Sequence, residues 1–339
     1  MASVNFQVKS NTRVLIGTEV TMGTPAVQGC AAVAMPCTDY SFTDIGSGGQ
    51  TLEVAPFRTG VGGQTQSDDM VKARRHDRTY EVSITFHCTD LAVKRVCLNL
   101  FEDGAAGGIS KLLGSMPTTS KFADGVANAI PVGIIIENGG HNAPAGDAKD
   151  MVFTSCMCTG LTFSGDIGSN GGVVMCTATF VTGYLPTATT NIGHTVATAV
   201  SAQTTMMNMH DLTTTSFGGQ DLVLLGFEYS IVRPVTKISF KDGANFNPYG
   251  YSLGGYEVTG SLTCKRDDLA LTASAEGQSV VALNLDTGTY QIQSEYCMND
   301  TSSVNFDDDG WKMTLPFRAV YSGVTTNSLF EFSGGASDS

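Results

Sequence analysis

Long stretches of the chain alternate between apolar and polar residues. Tyr80, Val82, Ile84, Phe86 and Cys88 share one face of a run whose other positions are Glu81, Ser83, Thr85 and His87, the period-two signature of a half-buried strand. The pattern returns where Tyr256, Val258, Leu262 and Cys264 alternate with Glu257, Thr259, Ser261 and Thr263. A third run puts Trp311, Met313, Leu315, Phe317, Ala319 and Tyr321 inward. Pro316 falls on its outward face, which predicts an edge strand or a bulge because proline cannot donate to a ladder. Further strands are predicted over 51–57, 152–164, 173–184, 222–231, 236–240, 280–285 and 290–297. One helix is predicted: Thr89 or Asp90 caps it, and Leu91, Val93, Val96, Cys97 and Leu100 form its apolar face. Residues 1–28 read as an extended arm, 58–69 as a long Gly- and Gln-rich loop that continues through the basic stretch to Arg78, and 333–339 as a loose tail.

Parts of this pattern are written twice. Tyr80-Glu-Val-Ser-Ile-Thr-Phe-His-Cys88 matches Tyr256-Glu-Val-Thr-Gly-Ser-Leu-Thr-Cys264, with Tyr, Glu, Val and the final Cys identical. Asp90-Leu91-Ala92 follows the first copy and Asp268-Leu269-Ala270 the second. Leu98-Asn99-Leu100 is echoed by Leu283-Asn284-Leu285, and Gly172-x-x-Met175 by Gly310-x-x-Met313. Landmarks in a common order predict a duplicated β-rich unit, and repeats are a way to build arrays. The reading is therefore two domains, 1–185 and 216–339, joined by a connection over 186–215 rich in Thr, Ala and Met. The first copy is longer, and most of its excess is placed in an insertion over about 104–149.

Composition agrees with a β-dominated fold. The chain has 339 residues, of which 39 are glycine and only 15% are charged. Its net charge of −13 argues against tight nucleic-acid binding, which needs a basic face to neutralise phosphates. It suits a surface past which DNA slides. Nine cysteines are an odd number, and Met1 to Lys9 lacks the apolar core of a secretory leader. Free thiols acting as small buried hydrophobes are expected, and no run of about 18 apolar residues marks a membrane span.

Little in the sequence carries catalytic chemistry. The five histidines show no zinc-type spacing, Cys156-x-Cys158 is one residue short of CxxC, and no nucleotide-binding or nucleophile-elbow motif occurs. Asn305 to Gly310 begins like a calcium loop, but Pro316 stands where the bidentate acid belongs; a hairpin turn is the simpler reading. No catalytic, cofactor or metal site is expected. The one basic cluster, Lys72, Arg74, Arg75 and Arg78, is the candidate subunit or ring interface through complementarity to an acidic neighbour. Glu81 and Glu257 stand at matching repeat positions on polar faces.

The opening Gly17-Thr18-Glu19-Val20-Thr21-Met22-Gly23-Thr24-Pro25-Ala26 resembles the start of tail tube proteins of tailed bacteriophages, and the two Tyr-Glu-Val strands, each followed by Asp-Leu-Ala, resemble that family's central strand-then-helix segment. The resemblance implies a mainly β fold, two tandem tail-tube-like β-sandwich or barrel domains each with a short flanking α-helix. It implies a virion protein of the tail, made in the bacterial host cytoplasm and lacking enzymatic activity. The resemblance implies a chain that assembles with itself into stacked rings, pseudo-hexameric trimers for a duplicated chain, that form a channel for genome ejection, with Glu81 and Glu257 the candidate lumen-facing residues. Its implied partners are tape measure, tail terminator and baseplate or tip proteins, with double-stranded DNA passing non-specifically. Other readings of the residues are a secretion-system tube, a capsid decoration protein, or a carbohydrate-binding β-sandwich.

Overall fold

The computed structural model describes residues 12–19, 31–43, 50–56, 71–100, 109–113, 131–138, 150–189, 195–198, 205–238, 248, 250–265, 280–299, 303–307, 310–320 and 328–334. The fold is mainly β. In chain order the first half holds β1 (Thr12–Thr18), β2 (Ala31–Ala34), β3 (Cys37–Phe42), β4 (Gln50–Pro56), β5 (Val71–Arg78), β6 (Tyr80–His87), helix α1 (Asp90–Leu100), β7 (Ile109–Leu113), β8 (Val132–Asn138), β9 (Asp150–Asp166) and β10 (Met175–Thr182). After β11 (Thr187–Thr189) and β12 (Thr195–Thr198) come β13 (Thr214–Phe217), β14 (Gln220–Asp221), β15 (Leu224–Val232), β16 (Val235–Ile238), β17 (Gly250–Leu253), β18 (Glu257–Lys265), β19 (Val280–Asp286), β20 (Gln291–Asn299), β21 (Ser303–Asp307), β22 (Gly310–Ala319) and β23 (Ser328–Ser333).

The spine of the molecule is an antiparallel run in the order β3-β6-β10-β9-β15-β18-β22. It crosses from one half to the other at β9 and β15, where Asp166 to Gly160 pair with Gly226 to Val232. The expected pair of separate domain sheets is thus one continuous sheet, 19-stranded with its branches. Its apolar face is sealed: Tyr80, Val82, Ile84, Phe86 and Cys88 are buried, as are Val258, Leu262, Cys264, Met313, Leu315 and Phe317. One core cluster takes in side chains from both halves.

Strand pairings in the two halves correspond. The antiparallel pairs β1–β2, β1–β8, β3–β6, β6–β10 and β8–β9 have counterparts in β13–β14, β13–β19, β15–β18, β18–β22 and β19–β20. The hairpins β4–β5 and β16–β17 each stand apart as two-stranded sheets. Irregularities correspond as well: β8 skips between Val132 and Ile134, β19 between Val281 and Leu283.

Helix α1 forms over the predicted residues, with Ala92, Val93, Val96, Cys97 and Leu100 buried. Lys94 is buried too, its ammonium 2.8 Å from the Asp90 carboxylate one turn back. Asn99 turns its amide to the backbone of β9, donating to the Cys156 carbonyl and accepting from the Cys158 amide. It satisfies groups that a neighbouring strand would otherwise bond. The helix end is tied to the second half: the Leu100 carbonyl accepts from Arg233 Nη1 and from the Tyr256 hydroxyl, each at 3.0 Å. Arg233 also lies 4.6 Å from the centre of the Tyr256 ring. A cation at a helix C-terminus complements its dipole. The corresponding helix of the second half was expected after Asp268, outside the described residues.

Several expectations change. Residues 12–18 are a core strand rather than part of an arm; Val14, Leu15 and Ile16 are all buried, so alternation gave no signal. The insertion placed at 104–149 contains β8, a core strand that pairs with both β1 and β9. Leu98-Asn99-Leu100 lies in a helix while Leu283-Asn284-Leu285 lies in a strand, so that echo is not an equivalence. Cys88 stands beside Val174 and Cys264 opposite Met313, so Val174 and not Met175 corresponds to Met313. A slip of one residue changes face, and Met175 is indeed only half-buried. β22 is not an edge strand; Pro316 faces Ser261 of β18 and falls in the gap between β20, which covers 317–319, and β21, which covers 310–314. The connection over 186–215 carries β11, paired to β9, and β12, paired in parallel to β2.

Candidate assembly surface

The second face of the spine sheet is polar across its whole width. At one level Asp39, Thr85, Thr177, Thr162, Ser230, Thr259 and Arg318 stand side by side on successive strands. Their hydroxyls link across strands, Thr85 to Thr177 at 3.1 Å and Thr162 to Ser230 at 3.2 Å. Two residues along, Ser41, Ser83, Thr179, Gly160, Val232 and Glu257 form the next level. These side chains are short and uncharged for the most part, and they lie half-buried or exposed. The alternation that seals the core therefore also produces a broad, smooth, hydroxyl-rich surface shared by both halves.

Charge is sparse on this face. Asp39, Glu81 and Asp166 are exposed on the first-half strands, Glu228 and Glu257 on the second. Lys265, Lys312 and Arg318 are the basic groups, all on the second half. Glu257 and Arg318 form an exposed ion pair at 2.8 Å. Glu81 stands where Glu257 does, but Thr179 occupies the position of Arg318.

Among the described residues the spine ends at β3, which pairs with β6, on one side; on the other, β22 is flanked by β21 and by β20, and β20 pairs onward with β19. A profile of phage tail tube proteins matches residues 9–310. The chain belongs to the phage tail tube protein family. No curated protein sequence matches it. Tail tube proteins are structural components of the virion tail, and the polar sheet is the feature of this chain to weigh against that role.

In this tail tube chain the acid of the Gly17-Thr18-Glu19 opening has a buried task. Glu19 is 3% exposed. Its carboxylate accepts from the Ser155 amide at 2.7 Å and the Ser155 hydroxyl at 2.5 Å. Ser155 sits in the left-handed region at φ 49°, in the irregularity of the β8–β9 ladder between Phe153, opposite Ile134, and Cys156, opposite Val132. Its carbonyl accepts from the Tyr251 hydroxyl at 3.0 Å, and that hydroxyl accepts from Gly183. The second-half hairpin β16–β17 is thereby anchored to β9 and to the end of β10. Burial pushes the Glu19 carboxyl up to about 7, against the pull of the two Ser155 bonds.

The candidate interface residues Lys72, Arg74, Arg75 and Arg78 lie on a strand, not on the loop expected there. β5 pairs with β4, setting Arg74 opposite Glu53, Arg75 opposite Leu52 and Lys72 opposite Ala55. The loop over 58–69 is outside the described residues. Glu81 and Glu257 both lie on the polar face, as the alternation requires. The structure does not gather the candidates into one site: the basic cluster is on a separate hairpin and the two acids are on different strands.

The thiols are mostly internal. Among the described residues seven cysteines are buried and Cys37 is partly so. Burial pushes Cys158 and Cys297 up to about 12 and Cys264 up to about 11, so they stay protonated and inert. Asp307 pairs with Gly310, making the 305–310 segment part of the β21–β22 hairpin. One repeated segment escaped the sequence reading: Asp39-Tyr40-Ser41 and Glu228-Tyr229-Ser230 face corresponding positions of β6 and β18. Acid-Tyr-Ser in both halves was the available signal.

Proposed function

We propose that this chain is the major tail tube subunit of a tailed bacteriophage, built as two tandem tube units, with three chains closing a pseudo-hexameric ring. Rings stack into a hollow tube, and the polar face of the spine sheet lines the passage through which the genome leaves. The observation that carries this reading is the unbroken hydroxyl-rich face spanning both halves, on a chain of the tail tube family. A heterologous contact between unlike edges generates a ring when the rotation closes, and a closed barrel leaves no free edge. Short hydroxyls present little bulk to a moving duplex, and Glu81 and Glu257 repel its phosphates. The assembled tube meets tape measure, terminator and baseplate proteins at its ends and is made in the host cytoplasm.

Electron microscopy of the concentrated chain tests the proposal. Hollow stacked rings of three chains are expected; a solitary globule under every condition overturns it. For the wall, E81K/E257K tubes should retain double-stranded DNA fragments at low salt where wild-type tubes do not. Equal retention removes the two acids from the passage. The hairpin is our candidate for contact between rings or subunits. Replacing Arg74, Arg75 and Arg78 with Glu should leave a folded chain that forms no tubes, and normal tubes would exclude that role.

A further inference from the structure

The hairpin β16–β17 belongs to the second half but rests on the first. Among the described residues it joins no other strand. Its apolar contact is a small cluster separate from the main core, Met157 of β9 and Tyr251 of β17, with Val181, Val235 and Leu253 packed against them. Its polar contact is a chain of hydrogen bonds through Tyr251. That hydroxyl donates to the Ser155 carbonyl and accepts from the Gly183 amide at 3.1 Å. Close by, the Tyr184 hydroxyl donates to the Pro248 carbonyl at 3.2 Å. The chain of bonds ends at Glu19, which takes both the amide and the hydroxyl of Ser155.

No cation bonds the Glu19 carboxyl among the described residues. The titratable groups that face it are Cys156 of β9 and Tyr184 just after β10, and burial raises both, so neither carries a compensating positive charge. Beyond Ser155 stands Tyr251, also raised by burial. Opposite Tyr251 on β16 is Lys237, which burial lowers. On β1 itself Arg13 is engaged by Glu137 at the far end of the strand. A protonated Glu19 satisfies the site without charge: Oε1 accepts from the Ser155 amide and Oε2–H donates to its hydroxyl. An ionised Glu19 places a charge where no counter-charge bonds it, and water must enter to relieve it. Ser155, at φ 49°, is the element that gives way, because a non-glycine residue keeps a left-handed backbone only while its surroundings hold it there.

We propose that Glu19 is a proton-controlled latch on the hairpin. Protonated, it keeps Ser155 in the bulge with its carbonyl under Tyr251. Ionised, it admits water, and β16–β17 lifts from β9 and from the end of β10. Burial pushes the carboxyl up to about 7, so the latch is closed below that pH and loosens as pH rises through it. The spine strands keep their pairing in both states. The latch is a property of the single chain and holds whether or not rings form.

The test is amide hydrogen exchange of the full chain at pH 6 and pH 8, each rate divided by the intrinsic rate at that pH. Peptides containing Gly183 and Tyr251 should lose about tenfold in protection between the two, while those of β6 keep theirs. Glu19→Gln is a neutral isostere whose amide can accept from the Ser155 N–H and donate to its hydroxyl, so it should show the pH 6 protection at both values. Tyr251→Phe removes the linking hydroxyl and should leave Gly183 poorly protected at both. Unchanged protection in the wild type, or an equal loss in Glu19→Gln, overturns the latch. So does an equal loss in β6, which would mean that the whole chain opens rather than the hairpin.

Discussion

Leu161 and Asn299 occupy corresponding places in the two halves and meet different fates. Leu161 is fully buried under Ile231 of the neighbouring strand. Asn299 is nearly as buried, but its amide has no hydrogen-bond partner, and β19 runs beside its strand as far as Val280 opposite Met298. Around the β9–β15 seam an aromatic cluster has formed, Phe163 lying 6.4 Å from Tyr229 and 5.6 Å from Phe330. The difference shows how side-chain chemistry decides a buried position: where β9 meets β15 an apolar residue is packed like a core, while at the end of β20 an amide is buried unsatisfied.

The β9–β15 seam can be broken most severely by Phe163→Ala. Losing an aromatic with no replacement should cost about 3–5 kcal/mol, measured as a shift in the denaturation midpoint. Because the two halves share the sheet and the core, unfolding should remain one transition. Two resolved transitions would show that the seam is not a structural unit.

Glu19 sharpens the comparison from the other side, because the second half has no such acid. There β13 turns through Gly218 and Gly219, both at positive φ, directly into β14. A carboxyl raised from 4.5 to about 7 by burial holds its proton more tightly in the folded chain than in the unfolded one. Its contribution to stability is complete below about pH 4.5 and is lost as pH rises through about 7, a change of about 3 kcal/mol. Denaturation of wild type and Glu19→Gln at pH 5 and pH 8 should differ by roughly that amount in their pH dependence. Identical dependence would mean that Glu19 ionises as freely as in the unfolded chain.

Arg233→Ala removes the charged donor from the end of α1 and should cost about 2 kcal/mol. Arg233→Lys should recover only part, since one ammonium cannot both reach the Leu100 carbonyl and stack on Tyr256 as the guanidinium does. The smallest effect is expected from Arg318→Thr, which gives the second half the residue of the first. An ion pair this exposed is worth less than about 1 kcal/mol, so the melting temperature should barely move. A large loss would mean that the polar face is more enclosed than its exposure indicates.

Strands with one wet face were legible because alternation reports them directly: β6, β10, β18 and β22 lie within a few residues of their predicted bounds. α1 was legible from its cap and apolar spacing. β1 and β8 were not, because strands buried on both sides read as unbroken apolar runs such as Val14-Leu15-Ile16 and Ile134-Ile135-Ile136. The basic strand β5 read as a loop for the opposite reason, since Val71 to Arg78 offers almost no apolar face. Of the candidate residues, Glu81 and Glu257 were placed on the polar face by the period alone, whereas nothing local marks Asn299 as a buried amide at the end of β20.

The order of residues along the chain determined the period, the repeated Tyr-Glu-Val strands and the helix between β6 and β7, because each is a matter of neighbours a few positions apart. Which strand closes on which was decided in three dimensions. β9 joins β15 between residues 60 to 72 positions apart in the chain, and the choice depends on aromatic packing and backbone hydrogen bonds that exist only once the sheet has formed. For the same reason Leu161 and Asn299, equivalent by position, differ in their neighbours: Leu161 faces Ile231 of β15, and Asn299 follows the part of β20 that pairs with β19.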